Sequence, residues 1–409
     1  MLYVMTQTQI FDTNPEGLRI LFVIEAPYPW LIGGAERHAL RLAQELVKKG
    51  CRCMFVTPYP RAWKNQTVKE QNQLIHCLPI PLRHEHQFFK RLFYLRLCCF
   101  LVAQRENYDI VDMHLLATTA FISTIIKFLR KASLLKINTI ERWERLKLRC
   151  EIPHLRTVMS RSLSDTDGFL VMNHYLESIL QRDGIPKAKL HHIPNGIPIA
   201  IRRNDKNQLR LDLDLQQTPV IILYAGRFVT QKNVPLLIHS FSEVAQKAPW
   251  AQLVLLGDGP SMAEIRNLVN NLGLSDRIDF RGIVSNVVQY MSACDIFVLP
   301  SNIEGCPNAL LEAMGCGMAC VVTRFAGADE IIVDQHNGIL VQKNDVAGMT
   351  IAIQNLVANP QWRQQLGQLA LQTIAARFDI THIAELYRQT YRQLYTNRTD
   401  RGRIRNTSP

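Results

Sequence analysis

The sequence predicts an α/β protein of two doubly wound, Rossmann-like domains. Three observations carry that prediction. The chain has 409 residues, 47% of them apolar, enough for two full cores. Strand, helix and strand patterns follow one another from residue 18 and start afresh at Val220. A third such unit, residues 295–323, is the stretch the chain is organised around.

In order, residues 1–17 form a polar lead-in and 18–25 a first buried strand. A loop with two prolines (26–32) follows. Gly33-Gly34-Ala35-Glu36 then opens a helix with apolar positions at Ala39, Leu42, Ala43, Leu46 and Val47. Gly50 ends it, and residues 51–57 are the second strand. The G-x-G-x-x-G dinucleotide fingerprint is absent. A glycine pair entering a helix lets a phosphate approach the backbone closely; an ordinary tight turn is the competing reading.

Residues 58–87 are polar and proline-broken. Residues 88–105 read as a helix that is apolar on most sides yet carries Lys90, Arg91, Arg96 and Arg105. It is either a covering helix with a basic rim or a surface that touches anionic lipid. Residues 108–114 form a strand ending in His114, at the carboxyl edge where α/β sheets place ligands. Residues 134–163 are basic and suit an acceptor groove. Residues 168–172 are another strand, and 195–218 a polar linker.

The second domain opens with the strand from Val220 and the loop Gly226-Arg227-Phe-Val-Thr-Gln-Lys232-Asn233. Two cations five apart in a loop can straddle a diphosphate. A solvated loop is the bland alternative. In the organising unit, residues 295–300 are a strand stopped by Pro300, and 301–306 a loop. Pro307 suits the first turn of a helix that ends at Gly315 and Gly317, before a strand at 318–323. The N–H groups of Gly305, Cys306 and Asn308 and the positive helix end would welcome an anion. Glu312 lies five residues beyond Pro307, about 7.5 Å along the axis, the offset from a phosphate to a ribose. Glu304 stands at the loop mouth, facing whatever hangs beyond the phosphates.

Glu304-Gly-Cys-Pro-Asn308 with Glu312-Ala-Met resembles the double-glutamate motif (E-x(7)-E) of the retaining glycosyltransferases of family 4. Gly226-Arg227 with Lys232-Asn233 resembles that family's G-R-x(4)-K-N signature. The Gly33-Gly34 pair is similar to its N-terminal glycine motif. His114 aligns with the last histidine of its D-V-V-H-x-H strand, with Asp112 where the first histidine often stands. Ile193-Pro-Asn-Gly196 resembles the segment closing the first domain. Residues 278–284, ending at Val284, resemble the stretch that meets the nucleobase. Phe325-Ala-Gly-Ala-Asp-Glu330 corresponds to its G-G-x-P-E, with Ala326 and Asp329 as departures.

The resemblance implies a GT-B fold, two Rossmann-like domains facing across a cleft. Their expected bounds are 18–198 on the acceptor side and 199–377 for the nucleotide sugar. A helix at 378–396 would cross back to the first domain, before a disordered basic tail at 397–409. The implied activity is hexosyl transfer from a nucleotide diphosphate sugar to an acceptor hydroxyl with retained configuration. The expected setting is bacterial polysaccharide or glycolipid synthesis, with an oligosaccharide or lipid-linked glycan as acceptor. Glu304, His114, Arg227 and Lys232 are the catalytic candidates. Gly33, Gly34, Gly226, Arg227, Lys232, Val284, Glu304, Gly305, Cys306, Asn308 and Glu312 are the donor-binding candidates.

Three other functions compete with this reading. A glycosidase needs carboxylates facing each other across a sugar, not strung along one loop-to-helix path. A sugar-nucleotide epimerase shares the fold, and only acceptor-dependent release of nucleoside diphosphate separates it. A catalytically silent partner subunit would not need Arg227, Lys232, Glu304 and Glu312 together.

The charge is lopsided: residues 1–200 hold 27 Lys/Arg against 17 Asp/Glu, and the remainder 20 against 18. With no nucleic-acid module in sight, an anionic membrane surface or an anionic substrate is the expected partner. No apolar run approaches 18 residues, and the start lacks a basic signal-peptide region. Ten cysteines without C-x-x-C spacing suit buried, reduced thiols. The expected location is cytoplasmic, peripheral on the inner face of the membrane. No metal and no cofactor besides the donor are expected. Asp165-Thr-Asp167 and Asp212-Leu-Asp214 read as turn and surface chemistry.

Overall fold

The computed structural model describes residues 17–24, 33–59, 66–70, 73–79, 87–114, 120–150, 153–199 and 205–406. The expected loop 26–32, nearly all of the lead-in and residues 407–409 lie outside them. The chain divides into two compact units, Met1–Pro194 with Ile380–Pro409, and Asn195–Asp379.

The first unit has eight strands: β1 (Arg19–Ile24), β2 (Arg52–Tyr59), β3 (Gln66–Glu70), β4 (Gln73–Pro79), β5 (Ile110–His114), β6 (Ala132–Ile137), β7 (Gly168–Val171) and β8 (Leu190–His192). Their order is β3-β4-β2-β1-β5-β6-β7-β8. Every pair is parallel except β3 with β4. The helices are α1 (Gly34–Lys48), α2 (Gln87–Ala103), α3 (Ala120–Phe128), α4 (Ile140–Cys150), α5 (Pro153–Asp165) and α6 (His174–Arg182).

The central strands are buried on both faces, which is why they read as unbroken apolar runs. Leu21, Val23, Val111, Met113, Leu135 and Ile137 form one face with Leu97 and Leu101 of α2 and Trp143 of α4. The strand order reverses between β1 and β5, where Ile24 pairs with His114 at the carboxyl edge. That reversal is the switch point at which such sheets take ligands.

The second unit has β9 (Val220–Ala225), β10 (Ala251–Leu256), β11 (Ile278–Gly282), β12 (Ile296–Leu299), β13 (Ala319–Thr323) and β14 (Ile339–Val341). All pairs are parallel, in the order β11-β10-β9-β12-β13-β14. Around them lie α7 (Lys206–Asp212), α8 (Val234–Lys247), α9 (Met262–Asn271), α10 (Val287–Ala293), α11 (Asn308–Gly315), α12 (Val346–Ala358) and α13 (Pro360–Arg377). The switch point falls between β9 and β12. Both units thus have the α/β architecture expected.

Three stretches differ from expectation. The polar region 58–87 contains the antiparallel β3–β4 pair. The presumed linker holds α7, whose Arg210 is buried and bonded to Asp295 at 2.7 Å. Residues 397–406 are no disordered tail: they continue α14 (Ile380–Asn406), and Arg398 reaches Asp167 at 3.4 Å. Composition alone suggested disorder there, but nothing between Tyr395 and Arg401 breaks a helix, and α14 packs along α1 and β6 within the first unit.

Candidate active site

The richest cluster of the expected residues lies at the carboxyl ends of β9, β11 and β12, in the second unit. β9 stops at Ala225, and the chain turns through Gly226 and Arg227. A short 3-10 turn, Thr230–Lys232, then leads to Asn233 in a left-handed conformation. β12 ends at Leu299, and residues 300–307 lead into α11 with Pro307 as the N-terminal cap. The two loops are tied by the N–H of Asn302, which donates to the Gln231 carbonyl at 2.9 Å.

Between them Lys232 Nζ meets Glu304 Oε1 at 2.5 Å, both side chains largely buried. Lys232 is therefore not the free cation the spacing alone suggests; it is held by the acid at the loop mouth. The Arg227 guanidinium, by contrast, is exposed and engages no partner among the described residues. Burial first, then the Glu304 charge, pushes the Tyr224 phenol up from its ordinary value. It stays protonated and donates to the Arg227 carbonyl at 3.1 Å.

Gly305, Cys306 and Pro307 are buried, and Asn308 and Glu312 are half-buried on or beside α11. No side chain caps the start of α11. Val284 is half-buried just beyond β11, on the same sheet edge. Gly226, Arg227, Lys232, Val284, Glu304, Gly305, Cys306, Asn308 and Glu312 therefore gather at one edge of one sheet.

Gly33, Gly34 and His114 belong to the first unit. Gly33 and Gly34 are exposed at the start of α1, Gly33 extended (φ −91°). The Glu36 carboxylate folds back over Gly33, 2.5 Å from where a Cβ would sit, and supplies the negative charge that a helix start favours. His114 is buried at the end of β5, edge-on to Phe22 at 5.9 Å.

Several further residues brace the site. Asn195 Nδ2 donates to the Cys306 carbonyl at 3.0 Å and to Asn308 Oδ1 at 2.9 Å, bracing the loop from the I-P-N-G segment. Gly257 lies at φ +131°, and a Cβ there would fall 1.9 Å from the Gly226 carbonyl oxygen. Only glycine lets these two turns touch; the G-D-G sequence was its one visible sign. Asn233 Nδ2 also donates to Asn344 Oδ1 at 3.0 Å.

The two Asp-x-Asp pairs are engaged elsewhere. Asp165 accepts from Thr124 at 3.0 Å and pairs with Lys127. Asp167 accepts from the backbone and hydroxyl of Ser133 at 3.0 and 3.2 Å. Asp212 accepts from Gln208 at 2.8 Å, and Asp214 adopts φ 51° in the turn after α7. The cysteines whose side chains are described are buried in the main, with a correction at Cys99, which is exposed, and Cys98, which is half-exposed.

Residues 205–373 match the family described as Glycosyl transferases group 1, and residues 32–200 match Glycosyltransferase Family 4. The chain is 24% identical over 370 residues to the N-acetyl-alpha-D-glucosaminyl L-malate synthase of Bacillus anthracis, covering 88% of this chain and 94% of that one. It is 27% identical over 228 residues to a GDP-mannose-dependent phosphatidylinositol monomannoside mannosyltransferase of Mycolicibacterium smegmatis, covering 53% and 59%. Among solved structures, sucrose-phosphate synthase of Thermosynechococcus elongatus is similar with a TM-score of 0.77 at 21% identity, over 93% of this chain and 100% of the other. Anabaena HepE in complex with UDP-glucose gives 0.72 at 19%, over 92% and 100%. With a family 4 domain followed by a group 1 domain, and with these structural neighbours, the chain is a family-4-like glycosyltransferase of the GT-B fold.

Proposed function

We propose that the protein moves a sugar from a nucleoside diphosphate sugar to an acceptor hydroxyl with retained anomeric configuration, in the synthesis of a polysaccharide or glycolipid. The observation that carries this is the Lys232–Glu304 contact at the switch point, beside the start of α11 and with Glu312 further along that helix. Arg227 and Lys232 take the diphosphate. As the bond from anomeric carbon to phosphate oxygen breaks, their charges offset the one growing on the leaving group. The acceptor oxygen bonds to the same carbon, and its proton leaves with the phosphate. Glu304 keeps Lys232 in place with Oε1, and its other carboxylate oxygen accepts hydrogen bonds from the sugar. Glu312 accepts from the ribose hydroxyls, and His114 reaches the sugar end. Two relatives support the donor class by their names: one is GDP-mannose-dependent, the other was solved with UDP-glucose.

The two glutamates then separate binding from turnover. Glu312→Ala is expected to weaken nucleoside diphosphate binding by about 10- to 150-fold, the worth of a charge-assisted hydrogen bond at roughly 1.5–3 kcal/mol. Glu304→Ala is expected to act mainly on turnover. Calorimetric titration with free diphosphate decides it: wild-type affinity in Glu312→Ala would overturn the ribose assignment. An epimerase would instead consume donor with no acceptor present, so acceptor-dependent release of diphosphate separates the two activities.

A membrane-surface location is supported by a specific face. Leu95 and Val102 are 63% and 51% exposed on α2, with exposed Cys99 between them on the same side of the helix. No helix among the described residues is long and apolar enough to cross a membrane. An apolar stripe on a unit with a basic excess suits anionic lipid. Sedimentation with acidic vesicles is expected to capture the protein at low salt and release it at high salt. Equal capture by neutral vesicles, or none by either, would remove the membrane from the proposal.

A further inference from the structure

On the α1 side of the first sheet lies a buried polar group that the transfer chemistry above does not use. Asp112 sits two residues before His114 on β5, so both side chains leave the same face. Asp112 is fully buried. Its Oδ2 accepts from the Tyr391 hydroxyl of α14 at 2.6 Å. Its Oδ1 lies 3.4 Å from His114 Nε2, and neither of those two atoms has a hydrogen-bond partner. Buried, unbonded carboxylate oxygens and ring nitrogens are costly, so two of them side by side mark a bond that a small rotation completes.

The surroundings keep the carboxylate in place. Burial first, and then the Asp112 charge, pushes Tyr391 well up, so its phenol stays protonated and donates. Tyr387 lies beside Tyr391 with ring centroids 5.8 Å apart, and it accepts from buried Lys136 of β6 at 3.2 Å. Lys136 stands two residues beyond Leu134, the register partner of Asp112. Buried His38 of α1 is held well below its usual value, first by burial and then by Lys136, His114 and Arg41. It stays neutral.

We propose that Asp112, clamped by Tyr391 of the last helix, is a positioning residue that holds His114 in its Nε2–H form and leaves the Nδ1 lone pair to accept from a sugar hydroxyl. This rests on the reading of His114 as the group that reaches the sugar. In that arrangement α14 closes the first unit and also sets the hydrogen-bonding sense of a residue 277 positions before Tyr391. A carboxylate that fixes an imidazole tautomer acts through the histidine, so its removal leaves binding of the free nucleotide untouched.

Two measurements on the full chain test this. Nitrogen-15 correlation spectra of histidine-labelled protein, with the His114 signals identified by their loss in His114→Ala, are expected to show the Nε2–H tautomer. Asp112→Asn is expected to shift His114 toward the Nδ1–H form. Its turnover should fall about 10- to 100-fold, with unchanged affinity for nucleoside diphosphate and no further loss in a His114→Ala background. Tyr391→Phe, a milder change, is expected to move the same signals and rates part of the way. A wild-type Nδ1–H tautomer, or losses from Asp112→Asn and His114→Ala that multiply, would overturn the proposal and leave Asp112 a brace for α14. Should His114→Ala keep full turnover, the reading of His114 at the sugar fails by itself, and the tautomer spectra still decide the role of Asp112.

Discussion

Replacing Lys232 by alanine is expected to lower turnover by about 10²- to 10³-fold at saturating donor. That is the range for removing one preorganised stabiliser of a developing negative charge. Lys232 can supply this because its ammonium is already fixed: Glu304 holds it at 2.5 Å, on a turn braced through Asn302 and Gln231. A fixed cation needs no reorganisation as the phosphate departs, whereas a solvated one does. Arg227 is exposed and free of partners among the described residues, so Arg227→Ala should weaken diphosphate binding as well as rate. On the proposed mechanism the two cations and the start of α11 supply the charge that a divalent ion would, and activity is expected to persist in excess chelator. Loss of turnover on chelation, restored by magnesium or manganese, would overturn this account. So would near-normal turnover in Lys232→Ala.

The largest stability effect is expected at Asp295→Ala. The Asp295 side chain is 7% exposed at the base of β12. Its Oδ2 accepts from Arg210 Nη2 and from the Ile221 N–H, each at 2.7 Å, and its Oδ1 pairs with Lys206. Arg210 is itself buried, and its other donors go to the Ala293 and Thr218 carbonyls at 3.0 and 2.7 Å. Truncating the acid leaves a buried guanidinium uncompensated and an N–H orphaned, which costs about 3–5 kcal/mol. For a unit of this size the melting temperature should fall by roughly 6–20 °C, at about 2–4 °C per kcal/mol. The loss should appear in the unfolding step of the second unit. A change under about 1 kcal/mol would mean that water reaches this cluster. The same ions bind the amino ends of β9 and β12, whose carboxyl ends carry the Gly226 and Glu304 loops. Loosening them is expected to lower activity only as the unit begins to unfold.

What the residues determine by themselves is local. Apolar runs bounded by glycine and proline are sufficient to locate β9, β12 and β13, since a strand buried on both faces needs no partner to be recognised. The spacing of Arg227 to Lys232 and of Glu304 to Glu312 is likewise readable, because a loop and one helical turn set those distances. The tertiary structure decided what those groups touch. Lys232 is bound to an acid 72 positions away. Gly257 is required because another turn, at Gly226, lies against it. Asn195 braces a loop 111 positions on. Asp112 is clamped by a tyrosine 279 positions later, in the final helix. Those partners follow from strand order and from the point where that order reverses in each sheet, which no local spacing encodes. The β3–β4 pair and the end of α14 belong to the same class: both polar stretches become regular only where another element offers an edge or an ion pair to bind them.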